Sequence, residues 1–378
     1  MVVADLVRVM ETIAPLSFAE PWDKVGLHVG RLRSPLRSPV LLTIDLNESV
    51  MAEAERANAG AIVAYHPPIW EPLKALTDRT PKERVLLRAA EMGMAVYSPH
   101  TALDAVPGGM TDWLCEGLSE TPGKVPGDCR ALKSHAARPA TAEVKVVTFV
   151  PLSDVDKVRN ALATAGAGII GAYTVCSFAA PGTGTFLGDE SSQPSVGRRG
   201  VLESVSELRL EMVCSKAALP LAIETLRQFH PYEEPPIDVY ELLPKPTRGI
   251  GSGRRVALDR PAPIRVLAER MKKHIGRSMV RVATPDLDKP VSVIGVCCGA
   301  GAELAGVASA EGCELFITGE MRHHEVTACL DRGLSILLGE HTSTERGYLP
   351  RLAKRVESML PGVACIVSKN DADPLAAV

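Results

Sequence analysis

The sequence LSILLGEHTSTE occupies residues 334–345 and indicates how the rest of the chain is organised. Its apolar first part, 334–338, predicts a buried strand, and the polar residues that follow predict the start of a helix. His341 and Glu345 are four residues apart, a spacing that places two side chains on one face of a helix. Two side chains placed in this way can share one metal ion. The alternative is an ordinary helix N-terminus with a favourable acid.

Three further buried strands are predicted upstream, and polar side chains follow each of them. The predicted strands cover residues 40–46, 61–65 and 95–97 and alternate with helices. The polar side chains at their carboxyl ends are Asp45, His66, His100 and Asp104. Alternating strands and helices predict parallel β-α-β units in an open α/β sheet. Ligand sites of such sheets lie beyond the carboxyl ends of the strands, so we expect these side chains to meet.

Two Pro/Gly-rich stretches, 119–140 and 244–253, predict linkers that divide the chain into three segments. Between them, a β-α-β…β-α-β order with half-exposed alternation predicts an inserted ferredoxin-like α+β domain over 140–245. The flanking segments 1–127 and 254–378 are predicted to be the two halves of one α/β domain. That domain would be an open mixed or parallel sheet built from both chain ends.

Composition excludes several classes of protein. The 378 residues are 46% hydrophobic and 23% charged, as in ordinary soluble globular proteins. The net charge of −3 gives no basic face for nucleic acid, and no apolar run is long enough to span a membrane. Nine cysteines without a Cys-x-x-Cys pair predict reduced thiols. We therefore expect a cytoplasmic protein, with entry into the nucleus left open.

Three imidazoles and two carboxylates at predicted strand ends form a candidate metal site: His66, His100, Asp104, His341 and Glu345. Nitrogen and oxygen ligands suit zinc, manganese, iron or nickel better than calcium or magnesium. Because the set has no thiolate, we expect a catalytic or exchangeable site, not a closed structural one. Each residue alone could be a capping or surface residue, whereas the shared placement of five favours a metal. Trp22 is predicted to be a packing anchor.

Five motifs carry a resemblance to a known family. They lie at residues 20–27 (EPWDKVGL), 65–69 (YHPPI), 99–104 (PHTALD), 318–324 (TGEMRHH) and 340–347 (EHTSTERG). Together they resemble the Nif-three-like family, also labelled GTP cyclohydrolase type-one type-two homologues. The middle segment, with GIIGAY at 168–173 and HPYEE at 230–234, is similar to the PII-like or CutA-like insert of longer members.

The resemblance implies two divalent metal ions per chain inside a toroidal homohexamer. By motif, His66, Asp104, His341 and Glu345 would be the ligands, with Glu345 as the bridge, and His100 would orient Asp104. This chain departs from the pattern at Tyr65, where many members have a second histidine. The missing imidazole affects the occupancy of one of the two metal positions that the resemblance implies.

Two hypotheses of function follow, from different classes. The first is a metal-dependent hydrolase of a phosphorylated or nucleotide-like small molecule, with His324 or His100 as proton shuttle. The second is a regulatory or scaffold protein that partners a transcription regulator or senses a small ligand through the insert. Metal storage or insertion is a third possibility.

Overall fold

The computed structural model describes residues 1–137 and 139–375, so residues 376–378 of the predicted segment 254–378 lie outside the described residues. The chain divides into two compact units. The first comprises Met1–His135 and Thr247–Val378, and the second is Ala136–Pro246.

Strands and helices alternate through most of the chain. The strands are β1 (Gly26–Val29), β2 (Val40–Thr43), β3 (Ala61–Ala64), β4 (Ala95–Ser98), β5 (Asp128–Ala137), β6 (Val144–Pro151), β7 (Phe178–Leu187), β8 (Leu202–Cys214), β9 (Ile237–Glu241), β10 (Lys245–Pro263), β11 (Arg281–Ala283), β12 (Pro290–Val296), β13 (Leu315–Thr318), β14 (Ser335–Leu338) and β15 (Cys365–Val367). The helices are α1 (Val3–Ile13), α2 (Glu48–Arg56), α3 (Pro81–Glu91), α4 (His100–Ala105), α5 (Met110–Glu116), α6 (Val155–Thr164), α7 (Leu219–Phe229), α8 (Ile264–His274), α9 (Ala305–Ala310), α10 (His323–Asp331), α11 (Ser343–Arg346) and α12 (Leu349–Met359). In the described part of the chain, no helix is both long and apolar enough to cross a membrane.

Two mixed sheets form the first unit. The five-stranded sheet has the order β1-β4-β3-β2-β15, with β1 antiparallel to its neighbour and the other pairs parallel. The six-stranded sheet has the order β11-β14-β13-β12-β10-β5, with a parallel centre of β12, β13 and β14. The predicted α/β class is confirmed. The prediction of one sheet is wrong, because each half of the chain builds its own parallel centre and only β5 and β15 join the sheet of the other half.

The core of the first unit is continuous between its two sheets. One cluster of buried apolar side chains combines residues of both sheets with residues of α1, α5, α8 and α12. Helices α2 and α3 cover the other face of the five-stranded sheet, and α9 and α10 cover that of the six-stranded sheet. The central parallel strands are therefore buried on both faces, which explains their uninterrupted apolar sequences.

The predicted linkers are wrong where β5 and β10 lie, because these strands are neighbours in the six-stranded sheet. The hydroxyl of Thr247 on β10 donates to the carbonyl of His135 on β5 at 2.8 Å. Gly251 has a φ of +146°, and a Cβ there would lie 2.2 Å from the carbonyl oxygen of Lys133. Gly251 thus permits the close approach of β5 and β10 and does not mark a flexible connection.

The second unit has the element order β6-α6-β7-β8-α7-β9. Its four strands form an antiparallel sheet with the order β7-β8-β6-β9. One cluster of buried apolar side chains joins the sheet to α6 and α7, and it includes Val146, Val158, Leu162, Leu210 and Leu226. The second unit thus has a hydrophobic core of its own.

We predict that the first unit folds without the second. Because the chain leaves on β5 and returns on the neighbouring β10, a short Gly/Ser linker can replace residues 136–246. The shortened chain should keep a cooperative thermal unfolding transition and the metal content per chain of the full-length protein. Circular dichroism and elemental analysis of both proteins measure this. Loss of cooperative unfolding in the shortened chain would contradict the prediction.

Candidate metal centre

The strand registers bring polar side chains of each sheet together in pairs. Thr43 at the end of β2 pairs with Ala64 at the end of β3, so the two strands end side by side. Thr318 of β13 and Leu338 of β14 are paired in the same way. The polar residues that follow these four strands are Asp45, His66, Glu320 and His341. Sheet register, and not proximity in sequence, sets up both pairs.

The structure brings three of the predicted ligands together. His66 follows β3, His341 follows β14, and Glu345 lies in the short helix α11. Their candidate ligand atoms all lie within 4.8 Å of one another. This group could hold a metal ion, with one ligand from the first half of the chain and two from the second.

Glu345 is the innermost member of the group, with only 2% of its side chain exposed. Its Oε1 lies 3.5 Å from Nε2 of His341, and its Oε2 lies 3.5 Å from Nε2 of His66. Oε2 nevertheless makes no hydrogen bond among the described residues. Ligand atoms at this separation can both reach an ion that binds nitrogen and oxygen at about 2.0–2.2 Å. The donor set, with a buried oxygen that lacks a hydrogen bond, therefore fits a divalent cation.

Both histidines of the group are held by a carboxylate on the far side of the ring. His66 Nδ1 lies 2.9 Å from Asp45 Oδ1, and His341 Nδ1 lies 3.0 Å from Glu320 Oε1. A carboxylate at Nδ1 fixes the orientation of an imidazole and leaves Nε2 for a metal. Glu320 was missed in the sequence, although it follows β13 as His66 follows β3.

His100 repeats this arrangement at the start of α4. Its Nδ1 lies 2.8 Å from Asp23 Oδ1, and the same carboxylate accepts a hydrogen bond from the backbone N–H of Thr101 at 3.1 Å. His100 has a φ of +29°, which is unusual for a residue other than glycine. Its Nδ1 thus faces Asp23 and not Asp104, the residue that we predicted it to orient.

Asp104 lines the same cavity as the three-residue group but is not a member of that group. Its Oδ1 accepts a hydrogen bond of 2.7 Å from the hydroxyl of Tyr65. Burial, aided by the charge of Glu345 and opposed by His100 and Tyr65, raises the pKa of Asp104 to about 6.

His66 carries a strongly shifted pKa. Burial by itself lowers the pKa of this imidazole, but the neighbouring carboxylates of Asp45 and Glu345 outweigh burial and raise the pKa to about 10. In the metal-free protein at neutral pH, His66 is therefore a cation between two carboxylates.

The structure also shows where His324, a candidate proton shuttle, and Trp22, a predicted packing anchor, lie relative to the cavity. His324 lies in the first turn of α10, is exposed, and is not among the residues that line the cavity. Trp22 was predicted to be a packing anchor, and this is wrong because its side chain is 46% exposed. It lies against Trp70, with ring centroids 5.8 Å apart, and both rings line the cavity.

The cavity has a volume of about 1020 Å³. The candidate ligands line it together with both tryptophans, Lys133, Cys297 and Cys298. Trp70 and Lys133 were not singled out in the sequence, because neither belongs to a pattern of strand ends. A cavity of this size can enclose a small-molecule ligand.

We predict that Gly299→Ala weakens metal binding without changing a ligand. A Cβ at Gly299 would lie 2.6 Å from Glu345 Oε1 and 3.2 Å from His341 Nε2, so both side chains must shift. We expect an affinity loss of about 10–100-fold, the range for disturbed support of a ligand. Competition with a chromophoric chelator measures it.

Gly312→Ala is the matched control for this prediction. Gly312 has a similar φ, +73° against +60° at Gly299, but a Cβ there would meet nothing within 4 Å. Both variants carry the same kind of backbone strain, and only Gly299→Ala should change metal affinity. Equal affinities in the two variants would contradict the prediction.

We predict that metal uptake by the metal-free protein releases a proton from His66 even in mildly alkaline solution. At about pH 8.5 an imidazole with the ordinary pKa of about 6.5 is already neutral. His66, with its pKa raised to about 10, still carries its proton and must lose it to become a ligand. Calorimetry in two buffers of different ionisation enthalpy should show about one proton released. Asp45→Asn removes one of the carboxylates that raise the pKa of His66, so this variant should release fewer protons. Equal proton release by the parent and the variant would contradict the assignment of the proton to His66.

Comparison with known proteins agrees with the motifs. The chain matches the family model described as Duf34/NIF3 (NGG1p interacting factor 3) over residues 1–374. It is 34% identical over 384 residues to NIF3-like protein 1 of Homo sapiens, covering 99% of this chain and 92% of the human protein. It is 31% identical over 374 residues to the GTP cyclohydrolase 1 type 2 homolog of Bacillus subtilis (strain 168), covering 98% of this chain and 96% of that protein.

A solved structure supports the same assignment. The Bacillus cereus protein related to NIF3 aligns with a TM-score of 0.66 and 30% identity, covering 100% of this chain and 99% of that chain. The predicted resemblance is thereby confirmed at the level of the family. The chain belongs to the Duf34/NIF3 family.

Proposed function

We propose that this chain binds a divalent metal ion between His66, His341 and Glu345 and hydrolyses a phosphorylated or nucleotide-like small molecule. The observation that carries the proposal is the buried carboxylate of Glu345, which has an imidazole Nε2 3.5 Å from each oxygen and, within residues 1–137 and 139–375, no hydrogen bond at Oε2. An unpaired polar oxygen in a buried position is costly, and a coordinated cation removes that cost.

The donor set supports a catalytic ion. When bound, a divalent ion here would polarise a phosphoryl or carbonyl oxygen and make water a better nucleophile at neutral pH. Two imidazoles and one carboxylate suit zinc, manganese, iron or nickel. Three protein ligands also leave coordination positions for water and substrate, as in catalytic zinc sites.

His100 is the proton shuttle in this proposal. Asp23 holds its Nδ1 at 2.8 Å, so Nε2 is the nitrogen available for proton exchange with a substrate. His100 also lines the cavity, whereas His324 is exposed and does not. Of the two histidines considered from the sequence, His100 therefore has the better placement for this role.

The walls of the cavity support a nucleotide-like substrate. Trp22 and Trp70 offer aromatic surface against which a planar base can stack. Lys133 lines the same cavity with a side chain that is 61% exposed, and its Nζ lies 3.9 Å from Oε2 of Glu20, so a phosphate would compete with this carboxylate for the ammonium group. The volume of about 1020 Å³ is sufficient for such a molecule.

A second candidate function, as regulator or scaffold, is supported by the second unit. Its β-α-β-β-α-β order, sheet order and separate core are those expected of an inserted ferredoxin-like, PII-like domain. It also has a cavity of its own of about 300 Å³, lined by Phe186, Glu207 and Tyr232 among others. In this alternative the unit senses a small ligand. The family description, NGG1p interacting factor 3, names an interaction with another protein and supports a protein partner. The transcription-regulator partner and the toroidal homohexamer stay predictions from the resemblance.

We predict metal-dependent turnover that requires Glu345 and His100. Metal-free protein is loaded with zinc, manganese, iron(II) or nickel and tested first on GTP, because the Bacillus subtilis relative is named for it, then on other nucleoside phosphates. Glu345→Gln should lose bound metal and turnover together. His100→Ala should keep its metal and lose about 100-fold or more in rate, the usual contribution of general acid–base catalysis.

His324→Ala compares a histidine outside the cavity with one inside it and should leave the rate unchanged. A rate loss in His324→Ala with none in His100→Ala would reverse the assignment of the shuttle. Bound metal without turnover of any nucleotide would contradict the hydrolase. If a ligand then bound to the full-length protein and Tyr232→Ala abolished that binding, the regulatory function would replace it. Rapid exchange of the metal without turnover or ligand binding would indicate storage.

A further inference from the structure

Tyr65 stands at the carboxyl end of β3, directly before His66, and only 2% of its side chain is exposed. Its hydroxyl donates to Oδ1 of Asp104 at 2.7 Å, and Cys298 Sγ lies 4.0 Å from the hydroxyl oxygen of Tyr65. The phenol has a single hydrogen to donate. In this structure that hydrogen is directed at Asp104.

A second ion beside Glu345 would need lone pairs where Tyr65 presents a hydrogen atom. An imidazole at this position could offer nitrogen to a cation, and Asp104 would then be free to coordinate the same ion. A neutral phenol directed at Asp104 does neither. It occupies one oxygen of Asp104 and offers the cation no charge in return.

The Tyr65–Asp104 pair is held rigidly from both sides. Asp104 belongs to α4, whose neighbouring side chains Leu103 and Ala105 are buried. The ring of Tyr65 packs against His66 and His100, with ring centroids 5.1 and 5.3 Å away. Neither partner can move away from the other without disturbing packed neighbours.

The thiol of Cys298, which lies near the Tyr65 hydroxyl, has a second polar neighbour in Thr111. Thr111 Oγ1 lies 3.6 Å from Cys298 Sγ, so the thiol has a hydroxyl partner as well as the phenol. The three-residue group with ligand atoms within 4.8 Å includes His66, His341 and Glu345 and leaves Asp104 out. Among the described residues, the ligand atoms that lie this close together therefore do not include those of Asp104.

We propose that this chain holds a single metal ion, at His66, His341 and Glu345, and that the Tyr65–Asp104 hydrogen bond fills the second of the two positions implied by the family resemblance. This rests on the proposed function, since it presupposes an ion at the first position. Glu345 is then a terminal ligand and not a bridge. Asp104 stays outside the coordination sphere as the acceptor of the Tyr65 hydroxyl.

Metal stoichiometry tests this inference directly. Full-length protein is stripped with a chelator, reloaded with manganese, freed of excess metal and measured by elemental analysis. The parent should hold about one equivalent and Tyr65→His about two, because the imidazole supplies the missing lone pair. Electron paramagnetic resonance gives a second readout. Manganese ions about 3.5–4 Å apart in a two-metal site are magnetically coupled, whereas a single ion is not.

Two further variants separate the possible causes. Tyr65→Phe frees Asp104 without supplying a ligand and should stay near one equivalent with an uncoupled spectrum. Tyr97→Phe is the matched control, since Tyr97 is a buried tyrosine of the neighbouring strand whose hydroxyl has no hydrogen-bond partner among the described residues. It should behave as the parent.

Each contrary outcome has a distinct meaning. Two equivalents with a coupled spectrum in the parent would overturn the inference and make Tyr65 or Cys298 compatible with a second ion. One equivalent in a folded Tyr65→His, verified by an unchanged thermal unfolding transition, would also overturn it. Absence of metal in both the parent and Tyr65→His would instead overturn the proposed function on which it rests.

Discussion

The buried carboxylate of Glu345 is the constraint on which the site depends. A carboxylate with 2% of its side chain exposed needs hydrogen bonds or a cation, and imidazoles from two different sheets lie 3.5 Å from its two oxygens. His66 comes from the five-stranded sheet and His341 from the end of β14 in the six-stranded sheet. The site therefore exists only when both sheets have packed on their shared core. Each imidazole is in turn oriented by a carboxylate, Asp45 or Glu320, at the end of the adjacent strand.

A second buried charge holds the two halves of the first unit together. Arg254 on β10 has only 1% of its side chain exposed and forms an ion pair with Asp112 of α5. Its guanidinium also donates to the carbonyls of Ala105 and Val106, at 3.2 and 3.0 Å. Those carbonyls lie at the end of α4, the helix that carries His100 and Asp104. Arginine suits this place because its planar group holds donors on several nitrogen atoms in a fixed fork, whereas the donors of lysine all lie on one nitrogen. The strand that looked like a linker thus positions one wall of the cavity.

Much of the site could be predicted because its residues follow short apolar sequences. His66 and His341 each come directly after a strand buried on both faces, and Glu345 follows at a helical spacing. The rest depends on contacts between distant residues. Asp23 and His100 form a hydrogen bond although they are 77 positions apart in the sequence, and no local pattern reveals such a contact. The Gly/Pro content of 244–253 suggested flexibility because composition does not show that Gly251 lies against a neighbouring strand. The presence of two sheets in the first unit was not predicted for the same reason, since periodicity predicts strands but not which strands pair.

The exchange of an imidazole for Tyr65 need not remove the chemistry of the site. An ion held by His66, His341 and Glu345 would have three protein ligands, the number typical of catalytic zinc sites, whereas closed structural sites have four. The positions left open would face the cavity that both tryptophans line. Without a second ion Glu345 would not bridge and Asp104 would not be a ligand, whereas His100 and its partner Asp23 would stay in place. The Tyr65–Asp104 hydrogen bond therefore affects how many ions the chain binds, and the group of His66, His341 and Glu345 decides whether it binds any.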